Sequence, residues 1–479
     1  MNQNFALFLP EFLLAGLAFL VLTLDLFMPA QKKHYLAFVS AAGLVGVIAS
    51  VFTLAGKNEK LYGGIFLVDN YALFFKVFLL VVGIFMVLAS VDYVKKYLAH
   101  PGEFYGIVLF SILAMMAMTA SGELLTAYIS LELLSFSLYI LASFAMKDPK
   151  SNEAGLKYIL IGAFSTALLL YGLSLIYGTL GTTTFSGIAD ALRNGEGRQV
   201  AFLAGLVLVI VGFGFKVAAV PFHMWAPDVY EGSPTPVTAY LAVASKAASF
   251  ALLLRLFGTA FFPGLADWRP VIVALAAATM TVGNLVALTQ KNIKRMLAYS
   301  SIGQAGYLLL GVAALSPIAS QGILFHIVGY SATNFAAFAC VIYYQNQTGK
   351  EEIADYKGMA DRAPFTALVF SAALFSLAGL PIFAGFAGKF YLFTAAATQG
   401  LLWLVALAVL NSLVSLYYYL MVIKQMYIVP GEEGAGRIRM PWLASGVMAC
   451  LLIAIVLIGV YPQPLLDLVD KAAAVLPLA

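Results

Sequence analysis

Fourteen times along this chain an apolar run long enough to cross a bilayer ends at a charged or Pro/Gly-rich break. The runs lie at about 5–28, 36–56, 71–91, 104–120, 123–145, 154–180, 200–230, 236–257, 270–290, 297–315, 320–345, 364–398, 401–428 and 441–461. A helix needs about 20 apolar residues to cross a hydrocarbon core of roughly 30 Å, and lipid offers a backbone no hydrogen-bond partner, so each run predicts a helix. A porin-type barrel would alternate apolar and polar residues instead. With 62% of 479 residues hydrophobic and 10% charged, soluble architectures are excluded. The chain therefore reads as an all-α membrane protein of about fourteen transmembrane helices. The segment Met1 to Met28 has no basic leading region and no small-residue cleavage site, and is expected to be the first helix.

Two runs, 200–230 and 364–398, are too long for one untilted helix, and each holds an internal proline, Pro221 and Pro381. Both predict broken helices, since proline removes a backbone donor and clashes one turn back. The loops are short, about twenty residues at most, which leaves no room for a nucleotide- or flavin-binding domain. Odd-numbered loops carry fifteen Lys/Arg, among them Lys32, Lys33, Lys150, Lys294, Arg295 and Arg439, while even-numbered loops carry five, among them Lys57 and Arg198. That bias places odd loops in the cytoplasm and both termini on the far side, and it is the reading given to the formal net charge of +4. Cys340 and Cys450 both fall inside apolar runs and are expected to be buried packing residues, with no disulfide framework or iron–sulfur ligand set. The four histidines, His34, His100, His223 and His326, show no ligand spacing, so no metal site is expected.

The charges left inside the spans are the informative residues, because a charged group at the bilayer centre costs at least ~2.5–3.5 kcal/mol. Glu11, Asp25, Lys76 and Arg255 stand near span ends, where they are expected to snorkel to the interface. Lys246 lies ten residues past Pro236 and Glu132 nine beyond Glu123. At 1.5 Å per residue both sit roughly 14–15 Å deep, near the midplane, as a charge carrier or as a buried pair that fixes helix register. Lys216 stands five residues before Pro221 and Lys389 eight after Pro381. The reversed order suits two repeats of opposite topology, spans four to eight and nine to thirteen, with the seventh and twelfth broken around an ion path. His326 is a path candidate or a satisfied core histidine; Lys157, shallower, is a path candidate or a snorkelling lysine. Burial disfavours a charged lysine and a neighbouring carboxylate restores it, so a lysine whose partner comes and goes can be loaded and emptied with protons.

The stretch GFKVAAVPFHMWAPDVYEGSPTPVTAYLAVASK, Gly214 to Lys246, resembles the antiporter-like subunits of respiratory complex I in the version of subunit N, NADH-quinone oxidoreductase subunit N. KNIKRMLAYSSIGQAGY, Lys291 to Tyr307, and LAGLPIFAGFAGKFYLF, Leu377 to Phe393, resemble the same family. The sister subunits M and L typically continue after the first histidine with Trp-Leu-Pro and a second histidine, where this chain has Met224-Trp225-Ala226-Pro227 after His223. The chain also ends too soon after residue 461 for the lateral helix of subunit L.

The resemblance implies a proton path through Glu132, Lys157, Lys216, Lys246 and Lys389, with His326 mapping less closely. Glu132 would bias Lys216 or Lys157. It further implies one polytopic unit in a bacterial inner membrane with periplasmic termini, built of helices 1–3 (1–103), a first repeat (104–257), a second (270–428) and a terminal helix and tail (441–479). This chain would bind no cofactor. NADH, FMN, iron–sulfur clusters and quinone would sit in partner subunits, and its neighbours would be subunits M, J, K and A and the lipid, with no nucleic acid. Two other readings share the fold: a cation/proton antiporter subunit driven by an existing gradient, and a passive subunit whose buried charges only register helices.

Overall fold

The computed structural model describes residues 5–431, 436–438 and 440–478, so the first residues of the first run and Arg439 of the loop cations lie outside it. Among the described residues, twelve helices are long and apolar enough to cross a membrane. They are Phe5–Phe27, Tyr35–Phe52, Asn70–Tyr97, Pro101–Ala120, Leu124–Ala142, Pro149–Leu180, Thr235–Thr259, Phe262–Ala287, Ile293–Ala313, Pro317–Thr348, Leu402–Tyr427 and Trp442–Val460. The two long apolar runs are each split in two, into Val200–Lys216 and Trp225–Gly232, and into Pro364–Ala378 and Ala384–Thr398. Counting each split run once gives the fourteen expected places, referred to below as spans one to fourteen.

Local sequence fixes where the spans begin and end. Asp69 accepts from the Ala72 amide at 2.8 Å, Glu123 from the Thr126 amide at 2.8 Å, and Asn292 from the Lys294 amide at 2.9 Å. Each satisfies a donor that the first turn leaves free. At the other end Gly181, Gly349 and Gly379 take the left-handed conformation that closes a helix without a Cβ clash. Spans nine and ten approach so closely that a Cβ on Gly283 would come within 2.6 Å of the Gly303 nitrogen. Spans eight, ten and eleven form the centre: the apolar window of the eighth is 100% buried, against 28% for the fourteenth at the periphery.

Both breaks occur where proline predicted them. In span seven the helix ends at Lys216, Ala218 takes a positive φ of 58°, and the second piece starts at Trp225. In span twelve Gly379 and Ile382 take φ of 89° and 82° before the chain re-enters the helix at Ala384. The backbone groups freed at each break find partners inside the protein, as lipid depth requires. Trp225 Nε1 donates to the Phe215 carbonyl at 3.0 Å, and the Val220 amide donates to Thr279 Oγ1 at 3.0 Å. The Gly385 amide donates to Ser376 Oγ at 3.0 Å.

Three features differ from expectation. A two-stranded antiparallel hairpin, Glu59–Leu61 with Phe66–Val68, fills the second loop. Span eight contains a π turn, Leu241–Ser245, immediately before Lys246. Cys340 is buried as expected, but Cys450 is exposed on the outer face of span fourteen.

The four charges expected to snorkel are ion-paired instead. Lys76, with a fully buried side chain, stands 2.7 Å from Glu11. Arg255 grips Asp69 with two bonds of 2.7 and 2.8 Å, its guanidinium 4.6 Å from the Tyr71 ring centre. Asp25 accepts from Lys33 at 2.9 Å and from the Gly102 amide at 3.2 Å. Neighbouring segments cover these span ends, so the nearest partner is a carboxylate or ammonium, on another span for Lys76 and Arg255 and in the adjoining loop for Asp25.

Candidate proton-path site

Four of the six residues singled out by depth and resemblance lie in the interior. Lys216, Lys246, Lys389 and His326 are 5%, 2%, 4% and 1% exposed. Each lysine lies at or close to a helix irregularity, and for Lys389 the break supplies the carbonyls that hold it.

Lys216 is the last residue of the first piece of span seven. Its ammonium donates to Ser135 Oγ at 2.5 Å and lies 5.8 Å from the Tyr139 ring centre. Ser135 and Tyr139 share a face of span five with Glu132, since residues three and seven apart stack on one side of a helix. The Glu132 charge acts on Lys216, and its Oε1 is buried with no hydrogen-bond partner among the described residues. Glu132 is thus near Lys216 without being tied to it, with Ser135 holding the lysine.

Lys246 follows the π turn of span eight and donates to the Ser301 carbonyl at 2.7 Å and to the Ser301 hydroxyl. Tyr330 donates to the Ala242 carbonyl inside that turn at 3.0 Å, satisfying an acceptor the wider turn exposes. Tyr230, from the second piece of span seven, is buried with a hydroxyl that has no hydrogen-bond partner among the described residues.

Lys389 reaches back across the break of span twelve. Its ammonium donates to the Leu377 and Ala378 carbonyls at 2.9 and 3.0 Å and to Ser412 Oγ at 2.9 Å. A cation at the carbonyl end of a half-helix meets the negative end of the helix dipole. One turn along span ten from Ser301, Gln304 donates to the same Leu377 carbonyl at 3.0 Å. Ser301 and Gln304, one turn apart on span ten, thus place polar groups beside Lys246 and beside the carbonyl that holds Lys389. His326 stands beside these groups: its ring stacks on Tyr330 at 6.3 Å, and Gly388, next to Lys389, lies against its Nδ1. Neither ring nitrogen of His326 has a hydrogen-bond partner among the described residues, so it is not a satisfied core histidine.

Lys157 stands apart from this row. Its side chain is 41% exposed and pairs with Glu153 and Asp228, each at 2.7 Å. Asp228 also accepts from Arg295 at 2.6 Å, and Arg295 donates to Glu231 at 3.2 Å. Ser135, Ser301, Gln304, Tyr330 and Ser412 were not singled out from the sequence. A serine or glutamine inside a span carries no depth penalty to flag it, and only contact with a lysine gives it a role.

The family described as "NADH:quinone oxidoreductase/Mrp antiporter, TM" matches residues 121–415. The chain is 43% identical over 471 residues, 98% of each chain, to NADH-quinone oxidoreductase subunit N of Moorella thermoacetica. Among solved structures it resembles a chain of respiratory complex I from Thermus thermophilus with bound aureothin, with a TM-score of 0.80, 32% identity and 96% and 98% of the two chains covered. It also resembles a chain of the Mrp complex from Dietzia, with a TM-score of 0.84, 22% identity and 99% and 98% covered, a likeness of fold alone.

Proposed function

The chain belongs to the subunit N family of NADH-quinone oxidoreductases, as a proton-translocating subunit of the membrane arm, and from that premise we propose that its buried lysine row is the proton carrier. Protons enter at Lys216, cross to Lys246 and leave by Lys389, with Glu132 setting how firmly Lys216 holds its proton and His326 serving the path beside Lys389. The observation that carries this reading is that three buried lysines are each held by polar atoms inside the bundle, with Ser301 and Gln304 of span ten beside Lys246 and beside the Leu377 carbonyl that holds Lys389. Heavy-atom separations of roughly 2.6–3.2 Å, or one intervening water, are what a proton hop needs. Lys157 belongs to the mouth of the path and not to its centre.

The electron-transferring groups, NADH, FMN, iron–sulfur clusters and quinone, belong to partner subunits in this reading, and the chain works as a translocase with no redox chemistry of its own. Spans four to eight and nine to thirteen act as opposed half-channels, with subunits M, J, K and A as neighbours. The charge bias of the loops supports an inner-membrane orientation with periplasmic termini. The antiporter reading is not favoured, because the subunit N relative matches end to end at 43% whereas the Mrp likeness is one of fold.

The test is a complex purified through a tag on this chain, reconstituted in vesicles, with Lys246→Met. NADH-driven proton uptake should collapse in a complex that still assembles. Unimpaired uptake, or transport that runs on an imposed sodium gradient without NADH, would overturn the reading.

A further inference from the structure

We propose that a serine hydroxyl accompanies each buried lysine of the row, Ser135 at Lys216, Ser301 at Lys246 and Ser412 at Lys389, as the hydrogen-bond partner that serves the lysine both charged and neutral. The proposal rests on the lysine-row reading and gives a role to side chains that reading leaves idle.

Six lysine and arginine side chains are buried among the described residues, and their partners divide them into two kinds. Lys76, Arg255 and Lys294 each face a carboxylate, Glu11 at 2.7 Å, Asp69 at 2.7 Å and Glu351 at 3.1 Å, and none of the three bonds a hydroxyl among the described residues. Lys216, Lys246 and Lys389 are in no ion pair among the described residues, and each bonds a serine hydroxyl carried by another span. An ionised carboxylate only accepts, and it holds its partner in the charged form. A hydroxyl accepts or donates, turning its hydrogen about the Cβ–Oγ bond while no heavy atom moves.

At Lys389 the bonds close in both states. An ammonium has three N–H donors, and the neutral amine has two and a lone pair. The ammonium uses all three, on the Leu377 carbonyl at 2.9 Å, the Ala378 carbonyl at 3.0 Å and Ser412 Oγ at 2.9 Å, while Ser412 donates its own hydrogen to the Ala378 carbonyl at 2.9 Å. When the lysine is emptied one N–H bond breaks, the proton passes to the next acceptor of the path and the electron pair stays on Nζ. The two remaining N–H groups keep the two carbonyls, and the Ser412 hydrogen turns from Ala378 O to the nitrogen. No buried acceptor is orphaned, because Ala378 O still receives the amine. A third carbonyl in the place of Ser412 would set an oxygen against the lone pair and oppose the release. Ser135 repeats the arrangement, accepting from Lys216 at 2.5 Å and donating to the Leu131 carbonyl of its own helix at 2.5 Å. Ser301 offers Lys246 its carbonyl at 2.7 Å and its hydroxyl beside it.

The test compares Ser412→Thr with Ser412→Val in the assembled complex, two side chains of nearly the same shape that differ in the hydroxyl. NADH-driven proton uptake in vesicles should be about tenfold slower in Ser412→Val than in Ser412→Thr, because the emptied lysine has lost its donor. Equal uptake by the two assembled variants, whether fast or slow, overturns the switch. If Ser412→Val fails to assemble, Ser135→Thr against Ser135→Val at Lys216 decides by the same ratio. Lys389→Met measured alongside separates the two claims: lost uptake there with equal rates in the threonine and valine variants removes the hydroxyl's role alone, and wild-type uptake in Lys389→Met removes the carrier row.

Discussion

Gln304 of span ten lies one turn from Ser301, the partner of Lys246, and bonds the carbonyl that holds Lys389, and Gln304→Leu isolates its part in the proposed path. The substitution removes the 3.0 Å bond to the Leu377 carbonyl. That carbonyl keeps the Lys389 ammonium at 2.9 Å, so no buried acceptor is orphaned. The stability loss is then that of one net hydrogen bond, about 0.5–1.5 kcal/mol, too little to prevent assembly. In the proposed path proton transfer is affected more, because Gln304 is the polar side chain that fills the space between Ser301 and the Lys389 acceptor, where positioned polar groups contribute roughly 10²–10⁴-fold. The expected outcome is a slowing of about tenfold or more. Gln304→Asn, one methylene shorter, should fall between the two. The assay is NADH-driven proton uptake in vesicles, read against assembly on a native gel. An assembled Gln304→Leu complex that pumps at the wild-type rate would remove Gln304 from the path.

Arg255→Leu strands the Asp69 carboxylate in the interior and should lower stability by about 3–5 kcal/mol, read as thermal loss of the complex, while Arg255→Met with Asp69→Leu should recover most of it. Reporters fused after Lys33, Lys150 and Lys294 should report cytoplasm and one after Arg198 the far side; a reversal at any site would break the fourteen-span topology there. Glu132→Gln keeps shape but removes the charge acting on Lys216, so pumping should slow in a complex that assembles normally, and unchanged pumping would remove Glu132 from the path.

The number and order of spans were legible because lipid imposes a length on every apolar run, and the two breaks because proline marks them. The hairpin at Glu59–Leu61 and Phe66–Val68 was not, since strands of three residues leave no readable alternation. Nor was the π turn before Lys246, because Leu241–Ala242–Val243–Ala244–Ser245 contains no residue that announces it. Depth picked out Lys216, Lys246 and Lys389 because a charge there must be accounted for. The same rule misread Lys76 and Arg255: distance along a helix gives depth, but not whether a neighbouring helix covers the end. Lys157 was placed in the row by resemblance, while the structure sets it in an exposed cluster with Asp228, a partner 71 positions away that spacing alone could not supply. Ser301 and Gln304 became visible only through the lysines they contact.

The most direct test of the carrier claim is proton uptake by an assembled complex carrying Lys216→Arg. Arginine keeps the positive charge beside Ser135 and Glu132 but, with a pKa above ~12, cannot release its proton at working pH. If Lys216 must be loaded and emptied, NADH-driven proton uptake should fail despite the retained charge, with Lys216→Met failing as well. Wild-type uptake in Lys216→Arg, with loss only in Lys216→Met, would show that the site needs a fixed charge and not a proton carrier.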